Sequence, residues 1–178
     1  LIFPLLITNN TPFCHWSYKK YYYSIVKRFL ASGFGVGLAW QIIFGDKKGG
    51  GTLAALLFTV LIYLLGLNIL QLFIIFLLLL LIYFLSVEDD DANDDPSWIT
   101  LDEIVGMSLA CLASPSKLLP LIAGFLVFRA SDILKQPKFV AELENYPGKL
   151  GVLYDDLGAG LLGLLSATIV NQVSLLSF

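Results

Sequence analysis

From Leu53 to Val87 the chain is apolar apart from Thr59, Asn68, Gln71 and Ser86, and these 35 residues carry no charge. One untilted membrane span needs ~20 apolar residues, so the run is too long for a single crossing. Gly66-Leu67-Asn68 supplies a break. The pattern predicts a helical hairpin, with a shorter arm to about Leu65 and a full span from about Ile69 to Leu85. Leu77 to Leu81 has no polar face, which favours lipid contact over a soluble core. A second pair of helices follows, from Ile104 to about Ala113 and from about Leu118 through Phe128 into Arg129. Pro115 and Pro120 punctuate the turn between them, which carries Lys117, and Pro137 stops the second helix. Leu157 to Phe178 reads as a last apolar helix, and Gly158, Ala159, Gly160 and Gly163 would let a neighbour approach it closely. The expected fold is all-α: a compact helical membrane protein with helical hairpins and one polar, carboxylate-rich face.

Composition agrees with a bilayer as solvent. The chain is 57% hydrophobic and only 14% charged, against ~25% charged in soluble proteins, and its mean hydropathy is +0.81. A net charge of −3 argues against a nucleic-acid partner. Cys14 and Cys111 lie far apart and form no CxxC, so neither a zinc site nor a disulfide framework is read. His15 is the one histidine, which disfavours histidine-based catalysis. Tyr18 to Phe29 mixes tyrosines with Lys19, Lys20, Lys27 and Arg28; it suits a membrane interface or an ordinary exposed basic segment. Residues 1–32 are expected to form a basic and aromatic N-terminal segment, partly disordered, ahead of one helical domain over 33–178. The chain starts at Leu1 rather than Met, so it reads as a fragment or as carrying upstream residues.

Gly45 to Thr52 comes close to a phosphate-binding P-loop, but Gly51 stands where the essential lysine belongs, so nucleotide binding is rejected. A glycine-rich turn opening a helix can still present backbone N–H groups to a phosphate, and a flexible turn explains the same residues equally well. Glu88 to Asp95 holds six acids in eight residues. Asp94 and Thr100 stand where a calcium loop needs Gly and Glu, so a solvated acidic linker is expected. Thr100-x-x-Glu103 matches a capping box, in which Glu103 would only close a helix end. Arg129, Asp132 and Lys135 are spaced by three and share one helix face, as a surface salt-bridge ladder would.

Taken together, the charged groups suggest more. Asp102, Glu103, Asp132, Asp155 and Asp156, with Arg129 and Lys135, all border apolar runs, which reject charge unless it is compensated. If both hairpins enter and leave on one side, that side holds every lysine and arginine from Lys19 to Lys149 except Lys117, and the positive-inside rule makes it cytoplasmic. Full crossings and re-entrant arms give the same sidedness. Carboxylates from three segments could give Mg²⁺ two or three oxygen ligands without caging it. Arg129 has the fork to hold a phosphate, and Lys135 adds a point charge. No C-x5-R or D-x-D-x-T/V motif offers a covalent route, which leaves metal-assisted attack by water.

Three motifs carry a resemblance: Asp102-Glu103-x-x-Gly106-Met107; Gly124-Phe125-x-x-Phe128-Arg129-x-x-Asp132-x-x-Lys135; and Gly151-x-x-x-Asp155-Asp156-x-x-Ala159-Gly160. In this order and spacing they resemble the phosphatidylglycerophosphatase A family over roughly residues 33–172. The resemblance implies an all-helical, Mg²⁺-dependent membrane enzyme. It would convert phosphatidylglycerophosphate to phosphatidylglycerol at the cytoplasmic leaflet of the inner membrane. Asp102, Glu103, Arg129, Asp132, Asp155 and Asp156 carry over as the core of the site. Within that set Asp132, Asp155 and Asp156 are read as metal ligands, with Glu103 as ligand or base. Arg129, Lys135, Gly51 and Thr52 are read as substrate-binding. The chain departs from the family where Lys47-Lys48-Gly49-Gly50-Gly51-Thr52 replaces a Pro-Gly-Thr loop, after Lys135, and at Gly148-Lys149. These changes touch pocket loops and leave the carboxylates intact. A cation transporter using the same acids and an inactive scaffold are the competing readings, and no oligomeric state is read from the chain.

Overall fold

The computed structural model describes residues 24–92 and 96–176. Among them the secondary structure is entirely helical. Helix α1 covers residues 24–31, followed by α2 (Val36–Phe44), α3 (Gly50–Leu65), α4 (Ile69–Ser86), α5 (Asp89–Ala92), α6 (Leu101–Cys111), α7 (Leu118–Leu134), α8 (Lys138–Leu143) and α9 (Lys149–Leu176). Cys14, His15, Lys19, Lys20 and residues 93–95 of the acidic run lie outside the described residues.

The expected hairpin is present, and its break is local chemistry. Gly66 ends α3 in the left-handed conformation at φ 58. Asn68 then opens α4 with a capping box: its side chain accepts from the Gln71 N–H at 2.9 Å, and the Gln71 side chain accepts from the Asn68 N–H at 3.0 Å. The box expected at Thr100–Glu103 does not form, because the Thr100 side chain makes no cap bond. Its backbone N–H is already taken by the Ala31 carbonyl at 3.2 Å, so Glu103 has no donor there to satisfy.

Helix α6 is the centre of the fold, buried along nearly its whole length and packed against α3, α4, α7 and α9. Small residues set how closely α9 approaches, as the sequence led us to expect. A Cβ on Gly160 would lie 2.4 Å from the Gly106 carbonyl oxygen, and one on Gly163 would lie 2.8 Å from both the Ala110 Cβ and the Gly124 oxygen. Backbone therefore meets backbone at this crossing, and the first turns of α9 are drawn against the first turns of α6.

Helix α9 starts at Lys149, eight residues before the expected start at Leu157, so Asp155 and Asp156 lie inside a helix rather than ahead of one. Its first turn is held from a distance. The Lys149 N–H donates to Asp89 Oδ1 at 3.1 Å, and Lys149 Nζ donates to the Phe84 and Val87 carbonyls at 3.2 Å. The Tyr83 hydroxyl donates to the Lys149 carbonyl at 2.8 Å. Asp89 thus does more than solvate a linker. Short helix α8 follows Pro137 and lies between α7 and α9 in the chain.

The outside of the bundle is apolar. Leu64, Leu70, Leu85, Leu165 and Ile169 are all more than half exposed. Helices α4 and α9 are long and apolar enough to cross a membrane, and only 22% of each apolar window is buried, unlike the core helix of a soluble protein. At 1.5 Å per residue α4 spans about 27 Å, close to the ~30 Å of a bilayer's hydrocarbon. The hairpins run in register. The N-terminal ends of α3, α6 and α9 and the C-terminal ends of α4 and α7 gather at one end of the bundle, beside most of its charged residues. The Asn68 and Ser114–Lys117 turns gather at the other, where Lys117 Nζ donates to Asn171 Oδ1 at 2.8 Å.

Candidate active site

The charged end encloses a cavity of about 970 Å³. The Lys48–Thr52 loop opening α3, the first turn of α6, the last turns of α7 and the first two turns of α9 build most of it, with segments 96–99 and 144–148 completing the wall.

Asp102 and Glu103 sit in the first turn of α6, where the helix N-terminus favours negative charge. The α6–α9 crossing adds Asp156, and one oxygen from each of the three lies within 4.8 Å of the others. Oε2 of Glu103 and Oδ1 of Asp156 are shut off from solvent with no hydrogen-bond partner. Among the described residues no ion pair reaches either of these two acids. Burial, and then the neighbouring Asp102 charge, push the Glu103 carboxyl well above the usual carboxylate range. Buried polar atoms are nearly always satisfied. Hard oxygen donors left without protein partners fit a divalent cation of the Mg²⁺ or Ca²⁺ kind.

Gly51 makes the arrangement possible. A Cβ there would stand 1.6 Å from Glu103 Oε1 and 2.2 Å from its Cδ, so the carboxylate lies flat against the first turn of α3. Thr52, the next residue, accepts a 2.9 Å bond from Arg129 Nη2. The guanidinium is held from the other side by Asp132, with Nη1 at 2.6 Å from Oδ2. Its Nε stays buried without a hydrogen-bond partner.

The expected ladder on α7 is real, but it does not lie on an open surface. Lys135, in the left-handed conformation at φ 49, has its Nζ 3.3 Å from Asp132 Oδ1 and 3.9 Å from Glu144. It also bonds directly to Asp155 on α9, which is 5% exposed. Burial opposes the lysine's charge, but the Asp155 bond and the charges of Asp155, Asp132 and Glu144 outweigh it and hold Lys135 above its usual value.

All the acids expected from sequence therefore line one cavity, and the structure sorts them. Asp102, Glu103 and Asp156 converge on one another, whereas Asp132 and Asp155 are each engaged by a cation. Ser97, whose Oγ is buried without a partner, and Glu144 also line the cavity. No sequence signal marked Ser97. Glu144 could have been found only by knowing that α8 folds back beside α7. Cys111 is buried within the bundle and is not part of the cavity wall.

Carboxylates that could hold a metal ion stand beside a guanidinium at one end of a helical bundle with an apolar outside, and the comparisons make the protein a lipid phosphatase, a phosphoric monoester hydrolase. More narrowly, the chain belongs to the phosphatidylglycerophosphatase A family, whose sequence model matches residues 29–171. A curated relative from Bacteroides thetaiotaomicron, named "Putative phosphatidylinositol-3-phosphatase", is 30% identical over 152 residues, covering 81% of this chain and 92% of the relative. No solved structure matches the chain. Family membership displaces the transporter and scaffold readings.

Proposed function

We propose that the chain hydrolyses phosphatidylglycerophosphate to phosphatidylglycerol and phosphate, using Mg²⁺ held by Asp102, Glu103 and Asp156. The observation that carries this reading is the convergence of the three carboxylates in the same cavity as Arg129, with Glu103 Oε2 and Asp156 Oδ1 shut off from solvent and without a hydrogen-bond partner. When bound, the cation supplies Lewis-acid polarisation of a phosphoryl oxygen. The chain's residues do the rest. Arg129 is clamped by Thr52 and Asp132 with Nε unspent, so its fork meets the phosphate oxygens already oriented. The backbone at Gly51 lies beside the same pocket, and Lys135 lends positive potential from its place against Asp155. Charge building on the equatorial oxygens in the transition state meets fixed donors that need no reorganisation. Water adds across the ester: its oxygen joins phosphorus, the bond to the glycerol oxygen breaks, and that oxygen takes the proton.

The site opens at the inner membrane's cytoplasmic face in this reading. Lys27, Arg28, Lys47, Lys48, Lys138 and Lys149 belong to the segments at the site end, and Lys117 lies at the other, which supports that orientation through the positive-inside rule. The relative's printed name favours a second substrate, a phosphatidylinositol 3-phosphate, which presents the same chemistry of a phosphate monoester on a lipid head group. Phosphate release from the two lipids in mixed micelles with Mg²⁺ decides between them. Preference for phosphatidylglycerophosphate is expected, and a larger kcat/KM on the inositol lipid would overturn the assignment of substrate.

A further inference from the structure

Asp155 and Asp156 are consecutive on α9, yet they are served differently. Asp156 turns to the trio with Asp102 and Glu103, and its Oδ1 has no hydrogen-bond partner. Asp155 bonds to the Lys135 ammonium, which Asp132 and Glu144 also approach. Two adjoining oxygen-donor groups therefore share one cavity, and one of them already contains a positive charge. Phosphatases with two metal ions place them ~3.5–4 Å apart, clamping the attacking and leaving oxygens. Asp132 and Asp155 are ligands of the kind such a second ion would use.

We infer that the Lys135 ammonium occupies the place of a second cation, so that this centre takes a single divalent ion per chain. The inference rests on the metal reading given under Proposed function. Lys135 is then a positioning residue: it fixes Asp132, which in turn clamps Arg129, and it neutralises Asp155 without exchanging with solvent ions. Its left-handed backbone at the end of α7 aims the side chain back across to α9 rather than out along the helix. Seven carboxylates and three side-chain cations line the cavity, and the convergence of Asp102, Glu103 and Asp156 is where one divalent ion belongs.

Mn²⁺ titration of the detergent-purified full-length protein, followed by electron paramagnetic resonance, tests this. Wild type should take up one ion in the site with the six-line spectrum of an isolated ion. Lys135→Met keeps the aliphatic stem and removes the charge. It should take a second ion and show the broadening of two coupled ions, whereas Lys135→Arg should stay at one. A coupled pair in wild type would overturn the inference while leaving the metal reading standing. So would a single uncoupled ion in a folded Lys135→Met. No site-bound Mn²⁺ in wild type would remove the metal reading, and this inference with it. The wild-type spectrum decides between one ion and two even if a variant does not fold.

Discussion

Gly51→Ala adds one methyl group and should disable the site without unfolding the protein. The new Cβ would stand 1.6 Å from Glu103 Oε1, 2.2 Å from Cδ and 2.9 Å from Cγ. Ordinary carbon contacts begin near ~3.5 Å, so the carboxylate must retreat by roughly 2 Å. That is a large fraction of the 4.8 Å that encloses the trio's oxygens. Moving a group that supports a metal centre costs ~10–100-fold in affinity or activity, and a 1 Å misplacement can cost ~100-fold in rate. A loss of about 100-fold in kcat/KM, with at least tenfold weaker Mg²⁺ binding, is therefore expected. Stability should move little. Position 51 is helical, where Ala gains up to ~1 kcal/mol over Gly, partly offset by repacking of Glu103. Phosphate-release kinetics, metal titration and thermal unfolding of the same preparation measure all three. A Gly51→Ala protein with wild-type kinetics and metal affinity would refute the placement of Glu103 against α3.

Other consequences follow from the same geometry. Asp156→Asn should raise the melting temperature in EDTA while abolishing turnover, because oxygens of the three carboxylates lie within 4.8 Å of one another and any two that are ionised at that distance repel by about 3.5 kcal/mol at an effective dielectric of ~20; a fall in the EDTA melting temperature would contradict this. Glu103 is held well above the ordinary carboxylate value of 4.5, so the folded metal-free protein binds more protons than the unfolded chain above that pH. Its stability should therefore fall as pH rises from about 4.5 toward the raised folded value, and saturating Mg²⁺ should flatten that slope in melts across pH. Gly160→Val places its Cβ 2.4 Å from the Gly106 oxygen and should destabilise by several kcal/mol, with metal affinity falling as α9 moves off α6; an unchanged melting temperature would argue against that crossing.

Much of the architecture was legible because punctuation interrupts otherwise uniform segments. Gly66 and Asn68 divide an apolar run, and Gly160 and Gly163 announce a close helix crossing. The capping box was misplaced because Thr100-x-x-Glu103 and Asn68-x-x-Gln71 differ in something no local pattern contains. The Thr100 N–H is taken by Ala31, nearly seventy residues away in the chain. The start of α9 was missed for the same kind of reason. The apolar run begins only at Leu157, and what precedes it joins the helix where Asp89, sixty residues back, accepts from the Lys149 N–H. Site residues could be identified as acids at the borders of apolar runs, but their partners could not. Only the α6–α9 crossing shows that Asp102 joins Glu103 and Asp156, and that adjacent Asp155 goes to Lys135.

The central claim is that a divalent cation held by the trio makes this protein a lipid phosphatase. The most direct test is phosphate release from phosphatidylglycerophosphate by the purified protein in Mg²⁺ and in EDTA, beside Asp156→Asn confirmed as folded. The account predicts release that requires Mg²⁺ and is lost in the variant. Release that persists in EDTA, or in Asp156→Asn, would contradict it.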